Sequence, residues 1–309
     1  MMSWFTRIYK LNVDFPDCNA VPIDRNKFPF NSILSGTSVT NKHSEESNQD
    51  AVAIVRNRFQ NLNAVIVADG IGGLANGGDA ARIAVSVAKD LLSSDRPIDI
   101  NEVFANVQLS LHHIVKSRAD NIELDQFGTT LLIATETKES FKVGYLGNGS
   151  IYHIRGNFEN CLNESRPTPT CAVNLLNPQS IQKDGKETLT GFISPILLCE
   201  PSIIEIFKDK VNGDILIVTT DGLGSNDQIQ LGKDGSGIWW SRTEMWLPEL
   251  LKKIKFAIQN DSKPGTLKNF LNEMKANKKL DDDTTLGLII TNKAVSILKS
   301  QNGEDHVKS

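Results

Sequence analysis

The chain is poor in everything that marks a specialised environment. It has four cysteines in 309 residues, Cys18, Cys161, Cys171 and Cys199, with no Cys-x-x-Cys and no histidine pattern beside them. That spacing argues against a disulfide framework and against a zinc site, and fits free thiols in a reducing compartment. No apolar run is long enough for a membrane-spanning helix, and Met1–Lys10 lacks the apolar core of a secretory signal. Surplus positive charge is missing as well. Lys and Arg number 33 against 37 Asp and Glu, a net charge of -4, so nothing draws the chain to nucleic acid or to an anionic membrane. Internal repeats and an obvious linker are also lacking, which excludes a solenoid and predicts one domain. The expectation is a cytoplasmic protein.

What is present is an ordinary globular composition, 39% hydrophobic and 23% charged. Residues 1–32 hold Pro16, Pro22 and Pro29 without periodicity and read as an irregular arm. Short apolar runs predict strands at Ile33–Thr40, Ala51–Val55, Ala64–Ala68, Thr129–Ala134, Ile151–Ile154, Ile203–Phe207, Ile215–Thr219 and Leu286–Thr291, with alternating Phe141, Val143 and Tyr145 adding another. Helical spacing runs through Ala81, Ala84, Ala88 and Leu91, through Val103, Val107, Leu111 and Ile114, and again over Leu247–Ile258 and Leu267–Met274. Strands, two helices, strands, two helices and a strand predict an α+β domain over residues 33–295 built on mostly antiparallel sheets. Residues 157–201, rich in Asn, Ser, Thr and Pro, read as a surface excursion or flap. Residues 296–309 read as a mobile tail.

Four aspartates stand where apolar runs break: Asp50 in Asn48-Gln49-Asp50, Asp69 in Val65–Gly70, Asp221 in Ile215–Gly222, and Asp282 before Leu286. Asp-Gly alone is a turn signal, and an acidic run such as Asp281–Asp283 alone is a solvated face. Four carboxylates at strand ends would repel one another in a cleft unless a cation lies between them. Oxygen-only donors favour a hard ion, Mg²⁺ or Mn²⁺. A rival reading takes Gly70-Ile71-Gly72-Gly73-Leu74-Ala75 as a dinucleotide fingerprint, but Asp69 would then face the pyrophosphate, and no second strand ends in an acid at the required distance. His112 and His113 read as surface or boundary residues, His153 receives no role, and Trp239-Trp240 reads as packing, or as a partner surface if exposed.

Taken in order, the segments resemble the metal-dependent type 2C serine/threonine protein phosphatase family, its bacterial branch in particular. The matching stretches are Asn48-Gln49-Asp50, Asp69-Gly70-Ile71-Gly72-Gly73, Gly128-Thr129-Thr130, Gly147-Asn148-Gly149-Ser150, Thr220-Asp221-Gly222-Leu223 and Asp282-Asp283-Thr284-Thr285. The resemblance spans about Ser35 to Thr291 and implies a four-layer sandwich, two packed antiparallel sheets flanked by pairs of antiparallel helices. It implies two divalent ions, Mn²⁺ or Mg²⁺, with Asp69 between them, the Gly70 carbonyl on one, Asp221 and Asp282 on the other, and Asp50 close by. It implies hydrolysis of phosphoserine and phosphothreonine in proteins by water activated at those ions, with a Ser/Thr kinase or its targets as partners.

The chain departs from the family at several positions. Glu45 stands where a phosphate-binding arginine is expected, which leaves Lys42 or His43 as nearby substitutes; Gln49 replaces a glutamate, and Asn148 replaces an aspartate linked to a third ion. Ile71 replaces a histidine of many eukaryotic members, an absence that bacterial members share. These departures support an alternative, a pseudo-phosphatase that binds phosphoproteins or regulators with little turnover.

Overall fold

A computed structural model describes residues 32–41, 48–118, 123–156, 158, 172–183, 186–223, 230–233, 239–242, 246–260 and 265–300. Glu45, its neighbours Lys42 and His43, and the arm up to residue 31 lie outside them.

Two five-stranded antiparallel sheets carry the fold. One holds β2 (Asp50–Asn57), β3 (Leu62–Asp69), β4 (Leu131–Glu136), β5 (Ser140–Leu146) and β10 (Ser202–Phe207), in the order β10-β5-β4-β3-β2. The other holds β1 (Ile33–Val39), β6 (Ser150–Arg155), β7 (Ala172–Asn174), β11 (Asp214–Thr219) and β14 (Thr284–Ile290), in the order β1-β14-β11-β6-β7. The sheets pack face to face, and helices cover both outer faces. Alternate residues of the central strands therefore enter different cores. In β3, Ala64, Ile66 and Ala68 face the helices while Val65 and Val67 face the other sheet. In β11, Ile215 and Ile217 face helices while Leu216 and Val218 point inward. Burial on both faces is why these strands read as continuous apolar runs.

Helices α1 (Gly77–Ser93) and α2 (Ile100–Arg118) cover the first sheet. The buried stripe of α1, Ala80, Ala81, Ala84 and Ala88, is small enough for the helix to lie close against β2 and β3. On the far side, α3 (Trp246–Gln259) and α4 (Thr266–Ala276) bury Leu250, Leu251, Ile254, Phe270 and Leu271 against the second sheet. The α+β sandwich of four layers is the expected architecture.

Two expectations need correction. Residues 296–300 do not begin a tail, because α5 spans Asn292–Ser300 and buries Ala294 and Leu298. Its first turn is capped by Thr291, whose carbonyl accepts the Val295 N–H at 3.0 Å. So short a helix leaves too few apolar positions for periodicity to register. Part of the segment 157–201 is integral to the sandwich. β7 pairs with β6 and completes the second sheet, while β8 (Ser180–Lys183) and β9 (Lys186–Leu189) form a separate hairpin. The Trp239-Trp240 backbone lies in β13 (Trp239–Arg242), paired with β12 (Gln230–Lys233), but its side chains lie outside the described residues.

Gly36 and Gly287 face each other across β1 and β14, where the second sheet packs closely against the first. A Cβ on Gly36 would lie 2.8 Å from Val52 Cγ2, and one on Gly287 would collide with Val65 Cγ1. Gly287→Ala is expected to destabilise the protein by about 1–3 kcal/mol through overpacking, and Val65→Ala in the same chain to recover most of the loss. Urea melts of the single and double variants check this; a single variant as stable as the parent would rule out the close approach.

Candidate metal centre

The four sequence-flagged aspartates meet at one end of the sandwich, two from each sheet. Asp50 opens β2 and Asp69 closes β3, and the two are register partners. Asp221 lies just past β11 and Asp282 just before β14, strands paired through Thr219 and Leu286. Hydrogen bonds on either side keep the latter two loops together: Thr220 N–H donates to Thr285 O at 3.2 Å, and Asp281 N–H to Gly222 O at 3.0 Å. Gly222 has to be glycine, since a Cβ would run into Asp283 O and Thr284 Oγ1.

Gly70 shows the same crowding. A Cβ there would strike the backbone of Gly77 and Gly78, so the loop after Asp69 presses against the first turn of α1. The Gly70 N–H donates to Gln49 O at 3.1 Å, and the Asp69 carbonyl accepts from Thr130 N–H at 2.8 Å and Thr129 Oγ1 at 2.7 Å. The glycine-rich loop thus packs between β2, β4 and a helix start, and the dinucleotide rival has no support in this geometry.

Asp50 is the most enclosed of the four, 6% exposed. Its Oδ2 accepts the Thr220 hydroxyl at 2.9 Å, while Oδ1 is buried without a hydrogen-bond partner. Asn48 steadies it from behind: Asn48 Oδ1 accepts the Asp50 N–H at 2.9 Å, and Asn48 Nδ2 donates to Ser38 Oγ at 2.7 Å. Arg82 of α1 donates to the Asn48 carbonyl at 3.2 Å. Asp283, quoted in the sequence only as part of a motif, emerges as a tie between sheets. Its Oδ2 accepts Gln49 N–H at 2.8 Å, and its Oδ1 accepts Thr40 Oγ1 at 2.8 Å and Asn41 N–H at 2.9 Å. Spacing gave no sign of Thr220 or Asp283 because both act across sheets, between residues far apart in the chain.

Burial raises the carboxyl pKa values of Asp50, Asp69 and Asp221, and neighbouring acids add to it at Asp69 and Asp221. Burial pushes Asp50 up to about 7, opposed by the lowering effect of the nearby Thr285, Thr220 and Asp69 side chains. Asp69 is held well above the carboxylate range by burial first, then by the charges of Asp50, Asp221 and Asp282. Asp221 is raised by loss of hydration, then by Asp282 and by Glu187 of the β8–β9 hairpin. That hairpin hangs on the Asn148 turn, where Gln179 exchanges two bonds with Gly147, at 3.0 and 3.1 Å. Asn148 itself donates Nδ2 to Asp221 Oδ2 at 2.8 Å.

Among the described residues no three His, Cys, Asp or Glu side chains close into a ready cage. The oxygen-only donors, the partnerless Asp50 Oδ1 and the mutual repulsion nevertheless suit a hard cation. The histidines behave as expected: His113 is exposed, and half-buried His112 bonds Pro195 O at 2.8 Å. His153 is tied to Asp214 at 2.9 Å, at the opposite end of β11 from Asp221.

An acid raised on folding binds more protons folded than unfolded, so stability is lost as pH climbs between the two pKa values. For Asp50 that window runs from the ordinary 3.8 to about 7. Chelator-treated protein is therefore expected to melt lower at about pH 8 than at about pH 5, and Asp50→Asn to flatten the slope. A melting series against pH checks this; a flat profile in the parent would remove the crowding argument.

Residues 37–167 match the family model described as protein phosphatase 2C. No curated protein matches the chain in sequence. Among solved structures, the Staphylococcus aureus serine/threonine phosphatase Stp1 is similar at 15% identity and a TM-score of 0.57, with 84% of this chain and 94% of that one covered. The S. agalactiae serine/threonine phosphatase is similar at 15% identity and 0.58, covering 84% and 98%. The catalytic domain of the phosphatase PstP, in complex with two manganese ions, is similar at 14% and 0.54, again covering 84% and 98%. At such identities the likeness is one of fold.

Proposed function

We propose that this chain, whose residues 37–167 fit the protein phosphatase 2C family and whose fold is that of bacterial serine/threonine phosphatases, hydrolyses phosphoserine and phosphothreonine in proteins with two divalent ions, Mn²⁺ or Mg²⁺. The observation that carries this reading is the convergence of Asp50, Asp69, Asp221 and Asp282 at one end of two sheets, with one buried carboxylate oxygen left unpartnered. Asp69, Asp221, Asp282, Asp50 and the Gly70 carbonyl would hold the ions. When bound, such ions make hydroxide available near neutral pH and offset the charge of a phosphate oxygen.

The chain's own residues do the rest. The Asp69 backbone is fixed by Thr129 and Thr130, so its carboxylate stays at the mouth of the core. Thr220 N–H and Gly222 O keep the Asp221 loop beside Asp282. Without cations the four acids repel a phosphate dianion, so ion binding is also what admits the substrate. Phosphoproteins are the substrate class, and a Ser/Thr kinase or its targets the partners.

Asp69→Asn is expected to lower Mn²⁺-dependent hydrolysis of a phosphopeptide to background while the protein stays folded and its chelator-treated form melts no lower than the parent. Turnover near the parent's at saturating Mn²⁺ would sink the two-ion reading.

Asn148 offers Asp221 an amide where a carboxylate would add charge, and an amide is the weaker ligand for a hard ion. Asn148→Asp is expected to strengthen the response of turnover to added Mn²⁺ by about tenfold. Mn²⁺ titrations of phosphopeptide hydrolysis read the effect, and an unchanged dependence would show that this position does not touch the ion environment.

A further inference from the structure

Thr220 lies at the seam between the two sheets and is 2% exposed. Its Oγ1 accepts the Thr285 N–H at 2.9 Å and donates to Asp50 Oδ2 at 2.9 Å. A hydroxyl has one proton and two lone pairs. With a lone pair engaged by Thr285 from its own sheet, the proton is directed at the acid of the other sheet. The Thr285 side chain also lies near Asp50, and its hydroxyl donates to Ser38 Oγ at 2.7 Å. The two oxygens of Asp50 are thereby made unequal: Oδ2 has a fixed donor, and Oδ1, equally enclosed, has none.

We infer that Thr220 is a positioning residue, whose hydroxyl sets the orientation of the Asp50 carboxylate so that Oδ1 is held open for a hard divalent cation or a water of its shell. The inference rests on the two-ion reading above and adds to it a residue that touches neither ion nor substrate. Asp50 stands at the start of an edge strand, preceded by the loop Asn48-Gln49, and β2 alone does not fix how its carboxylate turns. The donor has to come from the opposite sheet because Asp50 points between the sheets, and Thr220 is carried there by the pairing of β11 with β14. Valine at this position keeps the branched shape and removes the donor; serine keeps the donor and removes a methyl.

The test is titration calorimetry with Mn²⁺ alone on the full chain. Thr220→Val is expected to weaken Mn²⁺ binding by about tenfold, and Thr220→Ser to restore it to within about twofold of the parent. In an Asp50→Ala background, Thr220→Val is expected to change nothing further, since the carboxylate it orients is gone. If the valine variant does not fold, Thr220→Ala supplies the same loss of donor. Parent-like affinity in the donorless variant, a serine variant as weak as valine, or an equal loss in the Asp50→Ala background each overturns the assignment. A parent chain that binds no Mn²⁺ overturns the two-ion reading and this inference together, whereas parent binding that valine leaves unaltered overturns this inference alone.

Discussion

The close approach of the two sheets is the constraint on which the rest depends. Neither sheet owns the site: Asp50 and Asp69 belong to one, Asp221 and Asp282 to the other. The acids can share an electric field only if the sheets meet with little between them. Gly36 and Gly287 make room for Val52 and Val65 where β1 and β14 cross the first sheet. Polar ties at the site end then hold the two layers in one alignment, Thr220 to Asp50 and Asp283 to Gln49. A shift of either sheet would break both ties and separate the carboxylates.

The two ends of the sandwich treat buried acid in opposite ways. At the far end, burial pushes Asp214 up, but bonds from His153 at 2.9 Å and Arg155 at 2.6 Å win and hold its carboxyl below the usual range. Glu136, fully buried, is met by Lys208 at 2.6 Å, Ser32 at 2.6 Å and Asn63 at 2.8 Å. At the site end Asp50 and Asp69 have hydroxyls, amides and other acids around them, and their pKa values rise. The same chain therefore neutralises acids where they serve the fold. At the site it leaves acids whose charged forms are disfavoured by burial and by one another, an environment that suits a cation brought from outside.

Several polar contacts cluster on the second sheet's side of the cleft. Asn148 bonds Asp221, Gln179 ties the β8–β9 hairpin to the same turn, and Glu187 from that hairpin adds to the field at Asp221. This hairpin lies inside the stretch that read only as a polar excursion. Its strands are short and exposed, so they bury little and leave no apolar pattern.

Strands and helices that bury apolar residues on a regular period were legible in the sequence, and Asp50, Asp69, Asp221 and Asp282 stood out because each interrupts such a run. The altered positions Gln49 and Asn148 were legible there as well. Helix α5 escaped because nine residues with two buried positions give no readable period. The tertiary structure decided which acids face one another, that Asp283 ties loops where Asp282 faces the cleft, and that Thr220 bonds Asp50 across 170 positions of chain. Periodicity reports which face of an element is apolar, whereas a hydrogen bond between sheets depends on their separation and register, and neither exists until both layers have packed.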